Sequence, residues 1–433
     1  MTAGATIYAL SSGAPPAALA IIRISGPDAG TALKALSGAL PGPRRASLRT
    51  LRHPVSSEIL DRALILWFPG PDTATGEDLA ELHLHGGRAV VRAVEIALAG
   101  IEGLRLAEPG EFTRRAFLNG RMDLAEAEGL SDLLFAETEA QRVAAIRMAS
   151  GHLSRQVEAW RRDVLRLSAL VEADLDFSDE DDVPEHAVDA VGQGIGTLAG
   201  DIDLALARPR AERLRDGIRV VLAGPPNAGK STLLNALLQR EAAIVSDIAG
   251  TTRDVIEAPV ALGGIPFVLT DTAGLRDEGA EEIESIGIAR AQDAIAAADI
   301  VLWLGTEGEG PSHPALWEVE SQIDRTGVPR ETKQVARHRL SAKTGQGLDA
   351  LINDLVATAR TLLPASNEVA LNARQHRLLG ECASALHGAR AQTDLLLRAE
   401  GLRLARHALD QLLGRTHVED MLDALFGAFC IGK

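Results

Sequence analysis

The octapeptide Gly224-Pro225-Pro226-Asn227-Ala228-Gly229-Lys230-Ser231 satisfies the pattern G-x-x-x-x-G-K-[ST]. It directly follows the apolar run Ile218–Ala223 and precedes the helix-forming run Thr232–Leu238. A strand, a glycine-rich loop and a helix in that order make a phosphate cradle. Gly224 and Gly229 let the backbone curl so that amide N–H groups face phosphate oxygens. The helix N-terminus adds the positive end of a dipole, Lys230 adds a full charge, and the Ser231 hydroxyl suits a magnesium ion. Asn227, Ala228 and Thr232 complete the stretch that would line the phosphates.

Two further segments sit where a nucleotide hydrolase needs them. The apolar run Phe267–Thr270 ends in Asp271-Thr272-Ala273-Gly274. A carboxylate at such a strand tip can hold magnesium through water, while the Gly274 amide can meet a γ-phosphate. Between this strand and the cradle lies Gly250-Thr251-Thr252-Arg253-Asp254, ahead of the expected strand Ile256–Leu262. Its threonine hydroxyls suit a loop closing over nucleotide and metal, with Thr252 as a magnesium ligand and a catalytic candidate beside Lys230. The three segments in this order point to a switch-type hydrolase.

Base recognition departs from the usual pattern. A GTPase of this kind reads guanine with Asn-Lys-x-Asp followed by Ser-Ala-Lys. The second is present as Ser341-Ala342-Lys343, before a helical run Leu348–Ala357, but the first is replaced by Ser321-Gln322-Ile323-Asp324. Only Asp324 is retained to pair with guanine N–H groups. About a dozen residues separate the expected strands Ile300–Leu304 and Trp317–Val319, and a parallel crossover with its helix needs ~10–12, so a full helix barely fits. This lobe reads as trimmed.

These residues are carried by a chain of 433 residues, which at roughly 150 per domain suggests about three domains. Residues 1–119 mix short strands, Leu19–Ile24 and Ala63–Phe68, with a helix from Arg88 to Leu98, and read as an α+β domain. From 120 to 215 the chain turns helical: Leu153, Val157, Trp160, Val164, Leu167 and Val171 recur at spacings of three and four. Strands and helices alternate over 216–365, the signature of a parallel sheet. Residues 366–433 are helical again. The fold expected is therefore multidomain α/β, with a P-loop, Ras-like G domain inserted into a helical domain. The acidic run Asp179–Asp182 reads as a solvated loop, because adjacent side chains diverge.

Forty-four basic against 60 acidic residues leave a net charge of −16, which opposes any nonspecific grip on nucleic-acid phosphates. Cys382 and Cys430 are the only cysteines, which excludes a disulfide scaffold or a cysteine-rich metal framework. The stretch before Arg23 has no basic residue and is broken by Pro15 and Pro16, unlike a secretory signal. No apolar run nears the roughly 20 residues of a membrane helix. A cytoplasmic enzyme with no membrane association is expected.

Further motifs carry a resemblance. Ile22-Arg23-Ile24-Ser25-Gly26, Trp67-Phe68-Pro69-Gly70, Thr75-Gly76-Glu77-Asp78, His85-Gly86-Gly87, the run Pro109-Gly110-Glu111-Phe112-Thr113-Arg114-Arg115-Ala116-Phe117-Leu118-Asn119-Gly120 and the terminal Cys430-Ile431-Gly432-Lys433 accompany the nucleotide motifs. With them the chain resembles the MnmE (TrmE) family of tRNA-modification GTPases over essentially its full length. The resemblance implies a homodimer formed through an N-terminal domain that binds a reduced folate, a tetrahydrofolate derivative, as one-carbon donor. It implies an FAD-dependent partner of the MnmG type and a carboxymethylaminomethyl-type group added at C5 of the wobble uridine of tRNA. By motif match, Arg23, Glu81, Arg121 and Lys433 would bind folate. Arg121 stands where the family often has lysine, which keeps the charge and alters its geometry.

The same resemblance implies Mg2+ and K+ beside GTP. Magnesium would be held by Ser231, Thr252 and Asp271. Potassium would take the Asn227 side chain with groups from Ser246, Ile248 and Thr251, within the switch segment Ser246-Asp247-Ile248-Ala249-Gly250-Thr251-Thr252. Ser246 replaces the family's usual threonine. Leu275 stands where Ras-like proteins carry a water-orienting glutamine, and leucine cannot orient water. Glu284 matches the family's catalytic glutamate, which acts through an intermediate water. Cys430 is either a buried apolar filler or a thiol beside the folate site that assists the chemistry. Two other functions stay open: a regulatory GTPase module without a role in base chemistry, and a nonselective nucleotide binder.

Overall fold

Alternation of apolar and polar side chains builds the N-terminal sheet. The computed structural model describes residues 4–176, 186–240, 257–272, 290–325, 332–365, 368–416 and 419–432. By contacts the chain divides into two units, Met1–Ser131 with Asp410–Lys433, and Asp132–Leu409.

In the first unit, strands β1 (Thr6–Leu10), β2 (Leu19–Ser25), β3 (Ser47–Arg52), β4 (Ile59–Phe68), β5 (Leu79–His85) and β6 (Leu104–Leu106) form one sheet in the order β3-β4-β5-β2-β1-β6. Only β1 and β6 run parallel. Ala20, Ile22 and Ile24 of β2, Ala80, Leu82 and Leu84 of β5, and Ala63, Ile65 and Trp67 of β4 are buried in one core cluster. Residues from the helices Ala29–Ser37 and Arg88–Ala99 complete it. With a side-chain period of two, the intervening Arg23, Glu81, His83 and Phe68 lie on the other face. Slipping the register by one residue would exchange the faces, so the apolar pattern fixes where the charged set stands.

That other face is partly covered near β1, where Ile7 and Ala9 pack with Ala107 and Phe112. Phe112 belongs to the helix Glu111–Leu118, which an ion-pair network ties down. Buried Glu111 meets Arg105 at 2.5 Å and Arg115 at 2.9 Å, and Arg115 reaches Glu77 at 3.0 Å. Burial pushes the Glu111 carboxyl up, but hydrogen bonds from Arg105, the Glu108 amide and Arg115 prevail and hold it below its usual 4.5. Ser25 donates to Glu77 at 2.8 Å, and the Asn119 amide to the Thr75 carbonyl at 2.7 Å. The Thr75–Asp78 and Pro109–Gly120 motifs thus brace one another. From the C-terminal helix Glu419–Gly427 and the residues after it, Leu422, Phe426 and Phe429 pack on Phe117, Leu124 and Ala127. Ile431 then bridges to Pro109.

In the second unit, β7 (Ile218–Ala223), β8 (Glu257–Leu262), β9 (Ile265–Asp271), β10 (Ile300–Trp303), β11 (Leu316–Glu320) and β12 (His338–Arg339) are ordered β12-β11-β10-β7-β9-β8. The expected parallel arrangement holds for all pairs but β8–β9. The physical reason is the link: Gly263 and Gly264, both at positive φ, leave room only for a hairpin. The crossover between β10 and β11 carries no helix among residues 304–315, in keeping with the shortage of chain. Side chains fasten it instead. Trp303 Nε1 donates to the Thr306 carbonyl at 2.7 Å, and buried Lys333 joins the Trp303 carbonyl at 2.7 Å to Glu318 at 2.6 Å.

The helix His152–Asp176 buries Leu153, Val157, Trp160, Val164, Leu167 and Val171, the face that the spacing predicts. The helix His186–Leu206 contacts both that helix and the helix Ala373–Ala391, giving the unit its helical part. The acidic run 179–182 lies outside the described residues. No described helix is long and apolar enough to cross a membrane.

Candidate functional site

The parallel register of β7 and β9 sets Leu222 beside Asp271, so the two strands end together. The Thr272 hydroxyl donates to the Leu222 carbonyl at 3.0 Å and pins the tips. From the β7 tip the chain curls through Gly224 (φ +151), Asn227 (φ +62) and Gly229 (φ +95) into the helix Lys230–Arg240. Burial leaves Lys230 5% and Asp271 1% exposed. The Lys230 ammonium donates to the Gly224 and Pro225 carbonyls at 2.9 Å each, and the Ser231 hydroxyl donates to the Asp271 carboxylate. Two hard oxygen donors meet beside one buried ammonium at a helix N-terminus. That donor set would suit a hard divalent cation such as Mg2+.

The far end of this site is a cavity of about 150 Å³ lined by Gly229, Thr232, Leu233, Ser321, Gln322, Asp324, Arg325, Leu340, Ala342 and Lys343. Thr232 and Gly229 therefore belong to both the cradle and the cavity. A hydrogen bond from the Ser341 hydroxyl, helped by the charge of Lys343 and Arg325, holds the Asp324 carboxyl below the usual carboxylate range. An ionised carboxylate is an acceptor only, which suits a partner offering two N–H donors. Ser321 donates to the Ala228 carbonyl at 2.6 Å and Gln322 Nε2 to the Asn227 carbonyl at 2.9 Å. Ser321 and Gln322 were not legible as site residues, because neither type belongs to the usual signature.

A second constellation stands on the N-terminal sheet, on the face opposite its helices. Arg23 and Glu81 are register partners on β2 and β5, and their side chains pair at 3.0 Å. His83 Nε2 lies 3.2 Å from the same carboxylate. Glu81 and Arg121 both line a cavity of about 390 Å³, with Arg44, Phe68, Asp72, Thr73, Ala74 and Leu79. Arg121 bonds to Asp72 at 2.8 Å, and the Arg44 guanidinium stands 5.9 Å from the Phe68 ring centre. Two guanidiniums, two carboxylates and an aromatic ring around one hollow fit a flat, polar ligand. Strand alternation marks Phe68 and His83 for this face; nothing in the sequence singles out Arg44 or Asp72.

Cys430 is exposed, whereas Cys382 is buried and burial pushes its thiol up to about 12. Gly432 fits against β1 so closely that a Cβ there would lie 2.1 Å from the Leu10 carbonyl oxygen. Leu10 pairs with Ile22, the neighbour of Arg23, so the tail docks beside the strand that carries Arg23. Ser246, Asp247, Ile248, Ala249, Gly250, Thr251, Thr252, Ala273, Gly274, Glu284 and Lys433 lie outside the described residues.

Comparison with known proteins adds the following. The family model described as the MnmE helical domain matches residues 124–430, and that of the GTP-binding protein TrmE N-terminus matches 6–121. The tRNA modification GTPase MnmE of Erythrobacter litoralis is 61% identical, over 99% of this chain and 100% of its own length. That of Novosphingobium aromaticivorans is 59% identical over 99% of both chains, and that of a Methylobacterium species 53% over 99% of both. Among solved structures, the G domain of the T. maritima FeoB iron transporter matches 33% of this chain and 98% of its own, at 24% identity and a TM-score of 0.23. A score that low has no bearing on the fold.

Proposed function

Because the chain belongs to the MnmE family of tRNA modification GTPases, we propose that its GTP hydrolysis is potassium-dependent and that, with an FAD-dependent MnmG-type partner, it installs a carboxymethylaminomethyl-type group at C5 of the tRNA wobble uridine. That it is a GTP hydrolase acting in tRNA modification follows from membership. The observation that carries the reading is the buried Lys230 beside the Ser231–Asp271 pair, continuous through Gly229 and Thr232 with the cavity at Asp324.

In this reading Lys230 leaves the Gly224 and Pro225 carbonyls for phosphate oxygens, where its charge offsets what builds up as the terminal phosphate departs. Ser231 and Asp271, joined by Thr252, hold magnesium. Asn227, with Ser246, Ile248 and Thr251, holds potassium, which supplies the charge that an arginine would otherwise bring. Glu284 orients the attacking water through a second water. Asp324 accepts from the guanine N–H edge. On the N-terminal sheet Arg23, Glu81, Arg121 and Lys433 bind a reduced folate: the guanidiniums take its carboxylates and Glu81 accepts from its ring N–H groups. Cys430, exposed on the docked tail, is the thiol placed for that site. We assign the same domain plan, 1–119, 120–215 with 366–433, and an inserted 216–365, in a cytoplasmic homodimer. With a charge of −16, tRNA contact rests on the partner and on local basic residues.

Hydrolysis of GTP and ATP measured in potassium and in sodium buffers tests the mechanism, with selective hydrolysis of GTP in potassium as the expected result. Equal rates in all four conditions overturn it. Nucleoside analysis of tRNA from a strain lacking the gene tests the biology. An unmodified wobble uridine is expected, and an unchanged one would favour the regulatory-module reading.

A further inference from the structure

The departure at the base-binding loop has a structural counterpart. Ser321 and Gln322 are consecutive, and their side chains donate to the consecutive carbonyls of Ala228 and Asn227, at 2.6 and 2.9 Å. Both Gln322 and Asn227 hold positive φ, +57° and +62°, which non-glycine residues seldom adopt. Gly229 completes the fit, because a Cβ there would lie 3.0 Å from Gln322 Nε2. The Arg325 amide donates to the Gln322 carbonyl at 3.1 Å, closing the loop that presents Asp324. An ordinary surface glutamine would not combine a strained backbone, a bond to the cradle and a neighbour that leaves it room.

We propose that Gln322 is the positioning residue of the base pocket. Its neutral amide ties the loop of Asp324 to the P-loop at Asn227, and that tie sets how sharply the site selects guanine. The inference rests on the nucleotide reading above and deepens it. Guanine offers two donors to an ionised carboxylate, its ring N–H and its 2-amino group, whereas hypoxanthine offers the ring N–H alone. The ratio of GDP to inosine diphosphate affinity therefore reports where Asp324 stands, independently of how well the phosphates are held.

The test uses the full chain and its Gln322→Ala, Gln322→Lys and Gln322→Glu variants, with Kd for GDP and inosine diphosphate by calorimetry and thermal melting as the folding control. All three substitutions place a Cβ residue at the same positive φ, so backbone strain cancels among them. Expected for Gln322→Ala is a GDP Kd raised about tenfold, the effect of one lost hydrogen bond, with the GDP-to-inosine-diphosphate preference reduced at least threefold. Gln322→Lys, whose ammonium can donate to the same carbonyl, keeps both near the parent values. Gln322→Glu, which sets a carboxylate against a carbonyl oxygen, behaves like alanine or worse. Should Gln322→Ala fail to fold, the contrast between lysine and glutamate decides. An unchanged preference in Gln322→Ala, or a lysine variant no better than alanine or glutamate, overturns the inference while the nucleotide reading stands. A parent chain that binds no GDP overturns both.

Discussion

The N-terminal sheet carries its candidate site in mid-strand, on the face opposite its helices, whereas the second sheet carries its own at the strand tips. Arg23 and Glu81 face one another across β2 and β5 because side chains alternate. Lys230, Ser231 and Asp271 meet because parallel strands end together and a glycine-bearing loop turns into a helix. In the first region the candidate groups are side chains on the grid of the sheet. In the second, a glycine-bearing loop and a helix N-terminus supply backbone amides beside the side chains. A grid site leaves few marks in the sequence, since any charged residue in the right parity will serve. A backbone site leaves glycines at fixed offsets.

The largest effect is expected at the strand tips. Lys230→Ala removes the buried ammonium beside the Ser231–Asp271 pair, and steady-state phosphate release from GTP should fall by about 10² or more. The variant should keep its cysteine-labelling pattern and its melting temperature near the parent. A loss below tenfold would mean that backbone amides alone carry the site, and the contrast between the regions would sharpen further.

The counterpart lies in the ion pairs that brace the N-terminal unit. Glu111 is buried among Arg105 and Arg115, and removing its charge takes the paired carboxylate from Arg105 and leaves Arg115 with Glu77 alone. Glu111→Gln should cost roughly 3 kcal/mol by chemical denaturation at pH 7. The folded-state carboxyl lies below its usual 4.5, so its contribution is present above that pH and is lost as pH falls through the depressed value. The difference between parent and variant should therefore shrink as pH is lowered below about 4.5. A constant difference down to strong acid would show that packing, not charge, is what Glu111 supplies.

The smallest effect is a rate of labelling. The Cys430 thiol is exposed and the Cys382 thiol is buried and pushed up to about 12. Iodoacetamide at neutral pH should label Cys430 in the native protein and spare Cys382 until denaturant is added. Peptide mass mapping reads both. Native labelling of Cys382 would break the helical packing described for residues 373–391.

Much of the strand-tip site was legible beforehand. Gly224, Gly229, Lys230, Ser231 and Asp271 come together at the strand tips, and β7 and the helix after it lie where the motif puts them. The shortage of residues between β10 and β11 left barely room for a full helix, and residues 304–315 carry none. The hairpin of β8 was missed because apolar patterning gives strand existence and not direction; the Gly263–Gly264 link was the available signal. Arg44 and Asp72 were out of reach, since what brings them to Glu81 is the folding of a loop over a sheet.

By itself the sequence determined what local chemistry can determine: strand and helix positions from periodicity, and the strand–loop–helix turn from glycine spacing. Tertiary structure decided which distant groups meet. It set Gln322 on the Asn227 carbonyl, Ser341 on Asp324, and Arg23 on Glu81. The physical reason is separation along the chain. A motif encodes contacts within a turn or two, while a side chain's partner some 95 residues away is fixed only when the sheet has formed and its strands have come into register.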